Sequence, residues 1–210
     1  VIGGNVSLYN ENVKGAIYPT PVVGMVGLVQ DIDHITTQEF KAEGDVIFLL
    51  GDTKAEIGGS EFQYAVHGVT EGRPPEIDLT VERELLDAVL GAIRQGLVAS
   101  AHDLSEGGLA AALAESCFGR GLGAKVEWTP NLRPDLALFS ESQSRILLSA
   151  KPDQADRLAA HFAAARVPAV RLGVVGGDRL TIAVGGHTAI DASVAELSRE
   201  WKEAIPCRMD

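Results

Sequence analysis

Four short segments of this chain bring together residues able to do chemistry. The first, Gly3 to Glu11, reads GGNVSLYNE. Its glycines allow backbone N–H groups to approach a phosphate closely, and Asn5 and Ser7 add an amide and a hydroxyl that can contact a metal ion or an anion. The same letters also suit a plain glycine turn leading into a strand. The second, Ala101 to Glu115, reads AHDLSEGGLAAALAE. A short apolar strand runs into Asp103, Ser105 and Glu106, and Gly107-Gly108 opens a helix. Free N–H groups at a helix start can bind phosphate, and Asp103 can hold the Mg²⁺ that comes with it. Equally, Asp103 or Ser105 caps the helix and the glycines permit close packing. The third, Phe139 to Arg145, reads FSESQSR and precedes a strand. Glu141, Ser142 and Gln143 offer donors and acceptors suited to ribose hydroxyls, although a polar loop has the same composition. The fourth, Ile57 to Glu61, reads IGGSE, where the glycines bring backbone close to a ligand or simply form a turn.

Other reactive residue types fit structural roles. His102 reads as a hydrogen-bonding residue, Trp128 and Trp201 as packing residues, and Cys207 has no base nearby in sequence that would make it a nucleophile.

The elements that position these segments follow from periodicity. Val22 to Val29 and Val46 to Leu50 read as buried strands, with a polar connection and a domain boundary near Thr36 to Glu43. Gly51 to Pro75 is glycine-rich and predicts a long loop holding a short element. Leu85, Leu86, Val89, Leu90 and Ile93 carry helical spacing, so a helix spans about 81–95, capped by Thr80 and ended by Gly96. Leu97 to Ala101 predicts a strand and Gly107 to Phe118 a deeply packed helix. Strands follow at about 124–128 and 145–150. A helix begins near Pro152 and ends before Pro168. Val170 to Val175 and Leu180 to Val184 read as a hairpin around Gly176-Gly177-Asp178, and Gly185-Gly186 turns into a further strand at 188–190. Ser193 and Glu196 stand in capping-box spacing before a last helix at about 194–204, with Val194, Leu197 and Trp201 as its apolar stripe. Strict βαβ alternation is absent, so the expected fold is α/β in the loose sense: a mixed sheet with packed helices.

Composition narrows the function classes. The chain has 210 residues, 46% hydrophobic, with 18 basic against 29 acidic residues and a net charge of −11. No basic run appears, which argues against nucleic-acid binding. The two cysteines, Cys117 and Cys207, form no CxxC pair, so a reduced, cytoplasmic protein without a zinc site is expected. No run is long enough to span a bilayer and no signal-peptide pattern is legible. A site beginning at residue 3 and a first residue that is Val lead us to expect part of a larger protein.

The four segments, in this order, resemble the C-terminal part of the phosphoribosylformylglycinamidine synthase family. The run AIYPTPVVGMVGL at 16–28, GDVIFLLG at 44–51 and the tail WKEAIPCRM at 201–209 add to the likeness, which covers essentially the whole chain. The resemblance implies an ATP-dependent ligase of purine biosynthesis. Such an enzyme converts formylglycinamide ribonucleotide, glutamine-derived ammonia and ATP to formylglycinamidine ribonucleotide, ADP and phosphate. The amide oxygen is phosphorylated and then displaced by ammonia, a step that depends on positioning and on neutralising phosphate charge. The resemblance also implies two related halves, each pairing an N-type and a C-type domain like those of aminoimidazole ribonucleotide synthetase. Residues 1–37 would then end the second N-type domain and 38–210 form the second C-type domain.

On that basis Gly4 corresponds to an ATP contact, Asn5 to a magnesium ligand and Ser7 to a substrate contact. Ser105, Gly107, Gly108, Glu141, Ser142 and Gln143 correspond to an auxiliary nucleotide site, with Asp103 as its metal ligand and ADP as a structural occupant. The family's catalytic histidines belong to the other half, so the chain alone is expected to be inactive. Expected partners are the N-terminal half, a glutaminase subunit and a small bridging subunit, with no nucleic acid or membrane. A dimer through an open edge at Val22 to Val29 is a further expectation. The alternatives are another enzyme of the aminoimidazole ribonucleotide synthetase superfamily, or a non-catalytic nucleotide-binding or assembly module.

Overall fold

The sequence VIFLL at Val46–Leu50 is apolar at every position, and a strand with that pattern is stable only when both faces are covered. The computed structural model, which describes residues 1–6, 9–18 and 20–205, covers them. Ile47 and Leu49 enter one hydrophobic cluster; Phe48 and Leu50 enter another on the opposite face.

The chain divides into two units, Val1–Ile32 and Asp33–Asp210. The first has little regular structure: strands β1 (Glu11–Asn12) and β2 (Gly15–Ala16) form a short antiparallel ladder. The strand expected at Val22 to Val29 is not present. Those residues adopt no regular structure, and Val22, Met25, Val26 and Leu28 are exposed. An apolar run becomes a strand only beside a backbone that can pair with it, and among the described residues of this unit only β1 and β2 pair. The strand edge on which the dimer expectation rests is therefore not formed.

The second unit holds a seven-stranded sheet. Its strands are β3 (Val46–Leu50), β4 (Ser100–Asp103), β5 (Ala124–Trp128), β6 (Ile146–Ala150), β7 (Ala169–Val175), β8 (Arg179–Val184) and β9 (His187–Ser193), in the order β4-β6-β3-β7-β5-β8-β9. Only β5 and β8 pair in parallel, so the sheet is mixed, as expected. Helices α1 (Glu61–His67), α2 (Leu79–Arg94), α3 (Gly108–Phe118), α4 (Pro134–Phe139), α5 (Ala155–Ala164) and α6 (Val194–Glu203) complete the unit. One face of the sheet carries α3, α4 and α6, the other α2 and α5.

Three local expectations are corrected. The Gly176-Gly177-Asp178 loop does not make a hairpin: β5 lies between β7 and β8. The loop spans the start of β5, with the Gly123 N–H donating to Gly177 O and the Gly176 N–H to Gly123 O. Ser193 is the N-cap of α6, but its side chain makes no capping hydrogen bond, so the capping box is not formed; the first amide of α6 bonds Asp178 O instead. Helix α2 begins earlier than expected because Asp78, not Thr80, accepts from the Thr80 and Val81 amides. The Gly185-Gly186 turn does form a hairpin, between β8 and β9, and both glycines have the positive φ that a two-residue turn requires.

Candidate functional site

Strand register gathers three of the four segments. Asp103, the last residue of β4, pairs with Ile146, the first of β6, and Leu50, the last of β3, pairs with Ile146 on its other side. The loops leaving β3 and β4 and the loop entering β6 therefore meet at one end of the sheet. These loops carry IGGSE, DLSEGG and FSESQSR.

Glu141 lies where the three loops meet. Its Oε1 accepts from the Gly107 N–H at 2.9 Å, just before α3, and from the Glu61 N–H at 3.0 Å, at the start of α1. Its own N–H donates to Glu56 O at 3.0 Å. Ser142 is fully buried, its hydroxyl accepting from the Lys54 N–H at 3.0 Å and lying 3.3 Å from Lys54 O. Ser140 Oγ accepts from the Glu56 N–H. Stacking of Phe62 on Phe139, with ring centroids 4.5 Å apart, packs α1 onto the same segment.

Arg145, only 2% exposed, ties the β6 entry together. Its guanidinium donates to Ser140 O (2.6 Å), Ser142 O (2.9 Å) and Thr53 Oγ1 (3.1 Å). Burial pulls its pKa down to about 10, while Glu56 and Glu141 nearby act in the opposite direction. Residue patterns alone do not single out Arg145; the available signal is a lone cation placed directly before an apolar strand.

At the other end of the DLSEGG loop, Ser105 Oγ donates to Asp103 Oδ2 at 2.9 Å, and His102 Nδ1 lies 3.5 Å from Asp103 Oδ1. Partial burial would raise the Asp103 pKa. The hydrogen bonds and the neighbouring imidazole outweigh it and hold the carboxyl below the ordinary range, so Asp103 is ionised at neutral pH. His102 Nε2 bonds Glu115 Oε2 at 2.7 Å, the structural role expected of it. Neither Asp103 nor Ser105 caps α3. Its N-cap is Gly107, in the left-handed region and without a side-chain cap, and the Gly108 N–H donates to Ser105 O.

A cavity of about 400 Å³ opens beside this loop. Asp103, Ser105, Glu106, Glu141 and Gln143 supply its polar rim, and Ile77, Leu85 and Leu86 an apolar wall. Gln143 Nε2 donates to Glu141 O. In IGGSE, Ser60 caps α1, accepting from the Gln63 N–H, which is the ordinary-turn reading. Gly4 and Asn5 belong to the first unit and are exposed. Ser7 lies outside the described residues, as does Cys207. Among the described residues no group of three or more His, Cys, Asp or Glu side chains could enclose a metal ion. No helix among them is long and apolar enough to cross a membrane.

This fold and loop arrangement belong to a known class. The family model of AIR synthase related protein, C-terminal domain, matches residues 42–185, and the chain belongs to that family. Over all 210 residues the chain is 47% identical to phosphoribosylformylglycinamidine synthase subunit PurL of Alkaliphilus metalliredigens. It is 49% identical to the protein of the same name from Moorella thermoacetica over 212 residues. In each case it spans all of this chain but only 28% of the relative. Among solved structures, T. maritima PurL complexed with FGAR has the same fold, with a TM-score of 0.70 and 23% identity over 80% of this chain and 30% of that one.

Proposed function

We propose that this chain is the C-terminal segment of a phosphoribosylformylglycinamidine synthase. The full ligase would use ATP and ammonia to convert formylglycinamide ribonucleotide to formylglycinamidine ribonucleotide in purine biosynthesis. The supporting observation is the 47% identity that extends over every residue of the chain. Residues 1–37 would then be the end of an N-type domain and 38–210 a C-type domain. Gly4 would contact ATP, Asn5 magnesium and Ser7 the ribonucleotide. The isolated chain would show no turnover, because the catalytic histidines lie in the other half. Its partners would be that half, a glutaminase subunit and a small bridging subunit, in the cytoplasm. A solved structure of PurLQS from T. maritima is in keeping with such an assembly.

Within the second unit we infer an auxiliary nucleotide site at the Asp103 cavity. Solved T. maritima PurL chains carry ATP or ADP. Mg²⁺ keeps most of its waters and takes one or two carboxylates together with phosphate oxygens, so a lone ionised Asp103 suits a metal that arrives with a nucleotide. Asp103 would hold that ion, which would neutralise phosphate charge. Ser105 keeps Asp103 oriented, Gln143 faces the ribose, and Ile77, Leu85 and Leu86 offer an apolar surface to the base. Glu141, itself on the rim, ties it to the frame that Gly107, Gly108 and Ser142 form behind it.

Calorimetry of ADP and ATP with the 210-residue chain, with and without Mg²⁺, tests the site. Binding that requires Mg²⁺ and disappears in Asp103→Ala supports it. Binding unchanged in Asp103→Ala, or no binding to the wild-type chain, counts against it.

A further inference from the structure

We propose that Glu141 is a positioning residue, not a ligand: its carboxylate clasps the leading amides of α1 and α3 and thereby sets the spacing of the loops around the Asp103 cavity. The first N–H groups of a helix have no intrahelical acceptor. The Glu61 amide opens α1 and the Gly107 amide precedes α3, and both donate to the same oxygen, Glu141 Oε1. No side chain of the DLSEGG loop caps α3. Glu141 therefore places negative charge at the start of both helices.

The clasp extends further. The Glu141 N–H is fixed on Glu56 O, and Glu56 Oε1 accepts from the Glu76 N–H, which lies between the cavity residues Pro75 and Ile77. Arg145 holds the carbonyls on either side of Glu141. The Glu141 carboxylate thus links the Asp103–Glu106 rim to the IGGSE loop, and its backbone N–H, through Glu56, connects both to the segment that carries Ile77.

The test is residue-resolved amide hydrogen exchange on the full chain, with ADP and Mg²⁺ titration beside it. In Glu141→Ala the Gly107 and Glu61 amides, 46 positions apart, should both exchange about tenfold or more faster, while amides of β3 and α2 stay unchanged. Glu141→Gln keeps an acceptor oxygen, so it should preserve most of the protection at both. The proposal is overturned if Glu141→Ala leaves either amide unchanged.

The nucleotide arm rests on the reading of the site proposed above. Glu141→Ala should weaken ADP–Mg²⁺ binding and Glu141→Gln should retain it. Equal loss in both variants, with the amides still protected in Glu141→Gln, would make Glu141 a ligand and overturn the positioning role. If wild type binds no nucleotide, the auxiliary site fails while the exchange arm still decides the clasp. Should Glu141→Ala not fold, Glu141→Asp decides: its shorter side chain should raise exchange at both amides, and unchanged protection there refutes the clasp.

Discussion

Replacing Gly108 by alanine should destabilise the second unit far more than the same change at Gly121, and the structure sets the expected difference. Both residues sit in the left-handed region, Gly108 at φ +61° and Gly121 at φ +66°. Each substitution therefore carries about 1–2 kcal/mol of backbone strain, partly offset by the lower entropy of the unfolded alanine chain, which is common to both. The difference lies in what the new methyl group meets. At Gly121 nothing lies within 4 Å. At Gly108 a Cβ would lie 2.5 Å from Ser140 O and 3.0 Å from Leu138 O.

The Ser140 carbonyl cannot easily move away, because buried Arg145 donates to it at 2.6 Å. Overpacking against such a fixed group costs about 1–3 kcal/mol. Gly108→Ala should thus fall that much below Gly121→Ala. With a slope of about 2 kcal/mol per molar urea, this is a midpoint difference of about 0.5–1.5 M. Trp128, packed against the core, reports the transition by fluorescence. Coinciding midpoints for the two variants would refute the claim that the α3 start is wedged against the Ser140 loop.

Two further outcomes follow from buried ionisable groups. Burial pushes the Cys117 thiol up to about 12, so in a Cys207→Ser background a thiol reagent at pH 8 should label Cys117 only as the chain unfolds; labelling at the rate of a free thiol in the native state would contradict the packing. Burial raises the Asp45 carboxyl above its ordinary value of 3.8, against the Ala42 N–H bond and Lys151. A raised folded pKa adds stability that is complete below 3.8 and lost as the pH rises through the folded value. Asp45→Asn, which keeps an acceptor for Ala42, should match wild type in urea unfolding at pH 3 and exceed it at pH 7; a gap independent of pH would refute this.

The parts of the fold legible in the sequence are those set by near-neighbour patterns. The spacing from Leu85 to Ile93 marks α2, the alanine-rich run marks α3, and the unbroken VIFLL marks a strand covered on both faces. What was not legible depends on distant partners. The Gly176-Gly177 loop looks like a hairpin because nothing local reveals that β5, some fifty residues earlier, takes the place between its strands. Val22 to Val29 has strand composition, but composition supplies no pairing backbone. Helix α4 is not legible from spacing, because six residues are too few for periodicity to register; Pro134 at its first turn and Asp135 beside it are its only local signals. For the site, the segments were recognisable by residue type, whereas their convergence follows from the pairing of Asp103 and Leu50 with Ile146, which only the sheet specifies.

That convergence also limits what the cavity can accept. Glu82, Asp103, Glu106 and Glu141 face it, and Arg145, the one cation on its lining among the described residues, donates instead to Thr53, Ser140 and Ser142. Glu141 further occupies the amide of Gly107, a donor at the start of α3 that a phosphate could have used. A bare polyanion entering this rim would meet like charge in a partly desolvated setting, where repulsion is several times stronger than in bulk water. On the reading proposed above, a nucleotide would therefore bind here only when divalent cations enter with its phosphates, and Asp103, held ionised by Ser105 and His102, would be the carboxylate that receives one. The magnesium dependence of ADP binding thus discriminates more sharply than affinity: equal binding with and without Mg²⁺ would mean that the phosphates lie away from this rim altogether.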